Sequence, residues 1–394
     1  MSTALTPKQA ALIAKGVYDV RVDNAWQIIQ AGGTDTINNQ LQISDLFSFS
    51  GEGSGRFKGT SGAVLRSESG FGYIAQGVGN RSDELLVATR GTVTGLDWLT
   101  DFAQSLDRGP TGYAVHAGFN RTFNSFKPTI SEVITRGQKP STVHVVGHSL
   151  GGALATIIAD YLSEHGLSVK LYTFGCPRVG MEGFSRNLTR KLKPENMFRV
   201  HHESDLVSMV PIFPFAHTPI GRDEYSLPWG GMSSISIQAH FMGSYVKTIG
   251  DMSWDGLIRT PSQSGWEKVE DWLKEAAQTG GTCKMLSAGA MWMLMKAVDW
   301  ILDKMGATIK VGAGLTALGA VTIMDRLAQV LYQGAVTSIK VSSYVGNLMI
   351  AILRFLGRAV STTVNLTVQF ITWVLNMFWS VISNLVLKAL QQNK

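Results

Sequence analysis

Ser149 stands at the centre of Gly147-His148-Ser149-Leu150-Gly151, a G-x-S-x-G pattern suited to nucleophilic attack on a carbonyl. The pentapeptide is short enough to arise by chance, so its surroundings decide its meaning. The apolar run STVHVV at 141–146 leads into it and reads as a buried strand, while GALATIIADYLSEHG from Gly152 reads as a helix stopped by Gly166. Strand, sharp turn and helix are the context a nucleophile elbow requires. The two glycines leave room at a strained turn, and the free N–H groups of the helix's first turn face developing negative charge. A serine hydroxyl also needs a base and an acid to orient that base. In this arrangement the chain order is Ser, then Asp or Glu, then His. Asp205 ends the strand-like stretch MFRVHHESD and opens the loop to Val210-Pro211, where an acid can reach a histidine. His116, His144 and His148 precede the nucleophile, His165 ends its helix, and His201 and His202 sit on the strand before the acid. His217 and His240 remain, and order alone does not separate them. Cys176, between Gly175 and Pro177, has no cysteine-enzyme context and reads as a small buried residue.

Elements that would position these groups follow from patterning. Thr6 and Pro7 open an N-terminal helix as N-cap and first helical residue. Residues 45–62 are rich in Gly and Ser and read as a loop, followed by strand-like runs at 62–66, 72–77 and 84–89. With KLYTFG and MFRVHHESD as further strands, the alternation with helices predicts an α/β fold with a mainly parallel sheet. A Pro-rich loop runs from Pro211 to Pro228, and a charged amphipathic stretch, 266–278, ends at Gly280-Gly281. That point divides the chain into 1–280 and a basic, apolar helical region, 281–394.

Composition supports the division. Of 394 residues 45% are apolar and 16% charged, which excludes a disordered or acidic solvating chain and leaves enough apolar surface for a large core. Two cysteines cannot build a disulfide framework, and no Cys/His spacing resembles a zinc site. Residues 281–394 hold ten Lys/Arg and three Asp, net +7, against 25 Lys/Arg and 26 Asp/Glu, net −1, in the first 280. Basic and apolar together suit an anionic membrane better than nucleic acid, which would want a denser basic stripe. Residues 359–387 contain no charge, a length sufficient to span a bilayer. Yet Asn365, Gln369, Thr372, Asn376, Ser380 and Ser383 recur at helical spacing as one polar stripe, which fits a bundle, a membrane interface or the lining of a polar path. The first twenty residues do not read as a Sec-type signal. The expected location is the bacterial cytoplasm or an exterior reached by a signal-independent route, with association to membranes.

Five blocks in order, LLVATRGTVTGLDWLTDF, VHAGF, VVGHSLGGALA, YTFGCPRVG and HHESDLVSMVP through AHFMGSY, give residues 84–245 a resemblance to the class 3 lipase family. That family contains fungal-type triacylglycerol lipases and bacterial phospholipases A. The resemblance implies an α/β-hydrolase fold and a triad in which Ser149 is the nucleophile, Asp205 the acid and His240 the base. It further implies oxyanion donors from Thr92 and the N–H of Leu150, and a lid over 94–107 carrying Leu96, Trp98, Leu99 and Phe102. No metal or other cofactor is implied. Fungal members are secreted with a signal and disulfides and end near their histidine; here neither is read and about 150 residues follow His240.

The expected function is hydrolysis of phospholipid acyl esters, phospholipase A1-type, with triacylglycerol as the alternative substrate. A contrasting expectation is a membrane-active protein whose C-terminal helices permeabilise the bilayer. Besides a phospholipid membrane surface, an accessory or immunity-type protein masking those helices is an expected partner. If 1–280 stands alone, a chain ending near Gly280 keeps soluble-ester hydrolysis and loses vesicle binding.

Overall fold

The computed structural model describes residues 3–19, 45–48, 55–61, 67–91, 106–136, 139–211, 214–221, 224–229, 236–257, 259–260, 266–278, 283, 285–306 and 323–391. The expected strand at 62–66, Thr92 and the lid residues Leu96, Trp98, Leu99 and Phe102 lie outside the described residues.

Helix α1 (Pro7–Gly16) starts as its sequence predicts. The Thr6 hydroxyl accepts the Gln9 N–H, the Gln9 side chain accepts the Thr6 N–H, and Pro7 sits where an N–H would have no helical partner. The strands follow as β1 (Phe47–Ser48), β2 (Gly55–Ser61), β3 (Ser67–Gly77), β4 (Glu84–Thr89), β5 (Leu106–Arg108), β6 (Ala114–His116), β7 (Thr142–His148), β8 (Val169–Phe174), β9 (Gly180–Met181), β10 (Met197–His202), β11 (Phe215–Ala216), β12 (Glu224–Leu227) and β13 (Arg259–Thr260). Among the described residues, nine form one sheet in the order β1-β3-β4-β7-β8-β10-β12-β13, with β2 also paired to β3. Neighbours from β4 through β12 run parallel; the remaining pairs are antiparallel. Strands β11, β9, β6 and β5 make a small second sheet.

The stretch read as a loop at 45–62 therefore contains β1 and β2. Its glycines and serines alternate with buried aromatics: Phe47 pairs with Gly77, and Phe57 pairs with Gly72 and packs on Phe126 at 4.7 Å between ring centroids. A partner strand supplies the ladder, so local turn propensity loses to tertiary pairing.

Every residue of β7 is buried, as expected of a central parallel strand covered on both faces. Its side chains alternate between two cores. Val143 and Val145 join a cluster with α2 (Ala117–Arg136) and α3 (Leu150–Glu164), while Val146 joins α1 and α5 (Met242–Ile249) on the other face. Helix α4 (Glu182–Leu192) flanks the small sheet. Helix α1 packs on α5, and the Lys8–Asp251 pair and a Trp254 indole N–H donated to the Leu5 carbonyl tie the two ends of that layer. A mainly parallel sheet, helices on both faces and a strand–nucleophile–helix turn at its centre constitute an α/β-hydrolase fold.

Helices α6 (Trp266–Ala276), α7 (Ala288–Lys304), α8 (Ile323–Thr337), α9 (Ile339–Phe355) and α10 (Val368–Gln391) follow. Helix α6 packs on α7 and α9, and α8 on α9 and α10. Helix α10 also packs on the 3-10 turn Ile237–His240. One buried cluster runs from Phe119, Val143 and Leu154 through Val269 and Leu273 to Leu327, Leu348 and Phe378, crossing Gly280-Gly281. Arg178, 5% exposed, donates to Asp299 on α7 at 3.2 Å.

Only part of the uncharged run 359–387 is helical, since α10 begins at Val368. Most of its polar stripe lies on the open side: Gln369, Asn376 and Ser380 are exposed, Thr372 and Ser383 half-buried with the Ser383 hydroxyl turned inward, and Asn365 is exposed just before the helix. Ile371, Val374, Leu375, Phe378, Ile382 and Val386 form the opposite, buried face. One side of α10 thus packs in a bundle, and by length and composition Val368–Lys388 is also long and apolar enough to cross a membrane.

Candidate active site

Ser149 sits between β7 and α3 with φ +58° and ψ −131°, a backbone conformation serine rarely adopts. The glycines of the motif are explained by crowding. A Cβ at Gly147 would lie 2.3 Å from the Gly151 carbonyl oxygen, and one at Gly151 would lie 2.4 Å from that of Thr89. The Thr89 hydroxyl donates to the Gly151 carbonyl at 2.7 Å, pinning the elbow to β4. Leu150 occupies the first position of α3, where no intrahelical acceptor exists for its N–H.

Three of the residues singled out by sequence meet here. His240 Nε2 is 2.9 Å from Ser149 Oγ, and His240 Nδ1 is 2.9 and 3.0 Å from the two carboxylate oxygens of Asp205. All three side chains are buried. Nδ1 faces a carboxylate and carries the proton, so Nε2 is the acceptor for the serine hydroxyl. Burial alone would push the Asp205 carboxyl up. The His240 contact and hydrogen bonds from His240 and the Tyr245 hydroxyl, 2.6 Å away, outweigh it and hold the acid below its usual range. The Val207 N–H supplies another bond at 2.9 Å. Gly175 closes over this pair with φ +52°; a Cβ there would lie 2.6 Å from Asp205 Oδ2 and 3.1 Å from His240 Nδ1.

His217 lies elsewhere. Its Nε2 accepts from Arg178 Nε at 3.2 Å, and its Nδ1 is buried without a partner among the described residues. Burial and the charges of Arg199 and Arg178 hold it far below the usual histidine range. It is a neutral group at the junction with α7, not beside Ser149.

Two histidines without a catalytic reading in the sequence brace the turn that carries His240. His148 Nε2 is 2.7 Å from the His240 carbonyl, which can only accept, so Nε2 bears the proton and Nδ1 accepts the Tyr18 hydroxyl at 2.7 Å. The Tyr18 oxygen in turn takes the N–H of Gly91, the residue next to the expected oxyanion donor Thr92. His148 also packs its ring on that of His240, 4.7 Å between centroids, and burial pushes it down to about 3. His202 donates Nδ1–H to the Ala239 carbonyl at 2.6 Å, accepts from Thr248 at 3.0 Å and stacks on Tyr245. Both braces stay neutral near pH 7, because burial lowers His202 as well. Tyr18 and its partner are 130 residues apart, and no local pattern signals the contact.

Cys176 is buried and free, as expected, with burial pushing its thiol up to about 12. Among the described residues no group of three or more His, Cys, Asp or Glu is arranged to hold a metal ion.

Comparison with known proteins agrees with the blocks read in the sequence. Residues 86–215 match the family described as lipase (class 3). The chain is 33% identical over 177 residues to a secreted mono- and diacylglycerol lipase of Fusarium solani, covering 43% of this chain and 51% of that protein. It is 31% identical over 194 residues to phospholipase A1-II 4 of Oryza sativa, covering 40% and 48%. Among solved structures, the Rhizomucor miehei triacylglyceride lipase aligns at 23% identity over 56% of this chain and 78% of that one, with a TM-score of 0.41. The chain spans about half the length of these two curated relatives.

Proposed function

We propose that this chain, whose residues 86–215 match the class 3 lipase family, is a serine ester hydrolase acting on lipid acyl esters. The observation that carries the reading is the continuous hydrogen-bonded line from Ser149 Oγ through His240 to Asp205. His240 Nε2 takes the serine proton as Oγ attacks the ester carbonyl. The imidazolium so formed is stabilised by Asp205, whose own lone pairs are held by Tyr245 and Val207. The oxyanion is received by the N–H of Leu150 and by Thr92, a donor assigned from the resemblance. His240 then protonates the departing alcohol, and water, activated by the same imidazole, releases the fatty acid and restores Ser149.

Phospholipid is the favoured substrate, phospholipase A1-type, because 281–394 is basic and apolar and a triglyceride droplet offers little anionic surface to it. Product analysis on mixed phosphatidylglycerol/phosphatidylcholine vesicles and on emulsified triglyceride, wild type beside Ser149→Ala, tests this. Release of fatty acid and lysophospholipid by wild type only is expected; faster turnover of the emulsion would reverse the substrate assignment. The covering of the site by 94–107 belongs to the same proposal. Trp98→Ala should depress hydrolysis of aggregated lipid more than of a soluble short-chain ester, and equal losses would place Trp98 in the core instead.

Tyr18 and His148 hold the base and the oxyanion segment in register with each other. Tyr18→Phe leaves the Gly91 N–H and His148 Nδ1 without their shared hydroxyl. It should lower kcat about tenfold with little change in KM, the size expected for a buried polar group left unsatisfied. Titrating active serines with a fluorophosphonate separates this from unfolding. An unchanged kcat per titrated site would show that the hydroxyl serves stability alone.

A further inference from the structure

One end of the C-terminal bundle presents large apolar side chains to water without an evident packing purpose. Met285 is 63% exposed, Leu286 41% and Trp373 48%. They are neighbours across three elements. The Leu286 N–H donates to the carbonyl of Phe355 at the end of α9, and a Cβ on Gly357 would lie 2.5 Å from the Met285 sulfur. The exposed Arg358 guanidinium stands 5.9 Å from the Trp373 ring, which pairs with Phe370 at 6.0 Å.

Leu286 is also held at φ +49°, where glycine would sit without strain. Residues in such conformations persist where the surroundings impose them, and they gather at ligand clamps and other functional segments. Here a left-handed turn carries two exposed apolar side chains rather than the small polar ones usual at a loop tip. Charge sets the sign of the surface: from Arg326 to Lys394 the chain has six Lys/Arg and no Asp or Glu, and Arg358 stands at this tip. An aromatic ring partly in water, aliphatic chains beside it and an arginine over the ring are suited to the headgroup layer of a bilayer. There the indole and guanidinium stay hydrated while the apolar groups enter the acyl boundary.

We propose that Met285, Leu286, Arg358, Phe370 and Trp373 form a tip that docks the protein on an anionic phospholipid bilayer. The inference deepens the reading of the chain as a lipid hydrolase, yet its test needs no catalysis. Helix α10 links the two, since it carries Trp373 and packs on the turn bearing His240.

The fold provides its own control. Val336 and Ile339, at the α8–α9 turn, are 57% and 93% exposed. They stand at the other end of α9, which at 17 residues is about 25 Å long. Flotation of the full chain with phosphatidylglycerol/phosphatidylcholine vesicles, in the Ser149→Ala background to keep the lipid intact, reads binding directly. Trp373→Ala and the pair Met285→Ser/Leu286→Ser should each lower the partition coefficient about tenfold, since each removes a substantial apolar contact. Arg358→Ala should lower it about fivefold at low salt, matching about 1 kcal/mol per basic side chain near such a surface. Val336→Ser/Ile339→Ser should bind as the parent does, and soluble-ester hydrolysis, measured with Ser149 restored, should be unchanged in every variant. Equal loss in the Val336/Ile339 pair, or undiminished binding by the tip variants, would overturn the assignment. So would a stable dimer dissociated by Trp373→Ala, which would make a second copy of the chain the occupant. If Trp373→Ala lowers the melting temperature, Arg358→Glu tests the same surface through charge.

Discussion

Ser149→Ala and His240→Ala are each expected to reduce kcat on a soluble ester by about 10⁴- to 10⁶-fold, and the double variant to be no slower than either. Non-additivity follows from geometry. The hydroxyl and Nε2 are 2.9 Å apart, and neither has a useful partner for proton transfer once the other is gone. Residual turnover would come from binding and from the oxyanion donors, which all three variants retain. Asp205→Asn should fall in the same class, because an amide facing Nδ1 favours the wrong tautomer. Side-by-side kinetics with His217→Ala decide the base. A His240→Ala enzyme of near-normal rate beside a dead His217→Ala enzyme would overturn it.

A chain ending at Gly280 is expected to lose its cooperative unfolding transition and to aggregate. The buried cluster that contains Val143 and Leu154 continues into α7, α8, α9 and α10, so truncation uncovers side chains such as Val269 and Leu273. Burying one Leu, Ile or Phe side chain contributes about 1.5–3 kcal/mol, and a whole domain is stable by only about 5–15 kcal/mol. A handful of uncovered side chains is therefore enough. Arg178, 5% exposed, would also lose Asp299. Circular dichroism melting and size exclusion of the truncated chain check this. A soluble, monomeric product with full soluble-ester activity would show that 1–280 is a domain in its own right, and that 281–394 is needed only for lipid.

Ser149, Asp205 and His240 were legible because each belongs to a local signal. The elbow is written in five consecutive residues, and the acid and base lie in blocks whose order matches a family. The α/β alternation was legible for the same reason, since strands covered on both faces read as short apolar runs. The strands β1 and β2 were not, because their glycines and serines mimic a loop and only Phe47 and Phe57 hint at burial. The polar stripe of α10 was found by its spacing, but spacing does not say whether water, lipid or a pore lies against it. The fold adds the opposite face, where Ile371, Val374, Phe378 and Ile382 are buried in the bundle. Tyr18, His202 and Tyr245 carried no local signal for a different reason: Tyr18 acts through the His148 ring, His202 through the Ala239 carbonyl and Tyr245 through the Asp205 carboxylate, each brought to it by the fold.

The way α1 is attached has a consequence for biosynthesis. Its contacts with the α5 region, Lys8 to Asp251 and Leu5 to Trp254, span 243 and 249 residues, and Tyr18 waits for His148 and then for His240. At roughly 5–20 residues per second, translation separates these partners by roughly ten to fifty seconds. A nascent chain therefore exposes Ser149 well before the base, the acid and their braces can close around it. Closing loops of that length is also the slow kind of folding step. The catalytic line therefore closes only once α1 and the α5 region have both been made and have met.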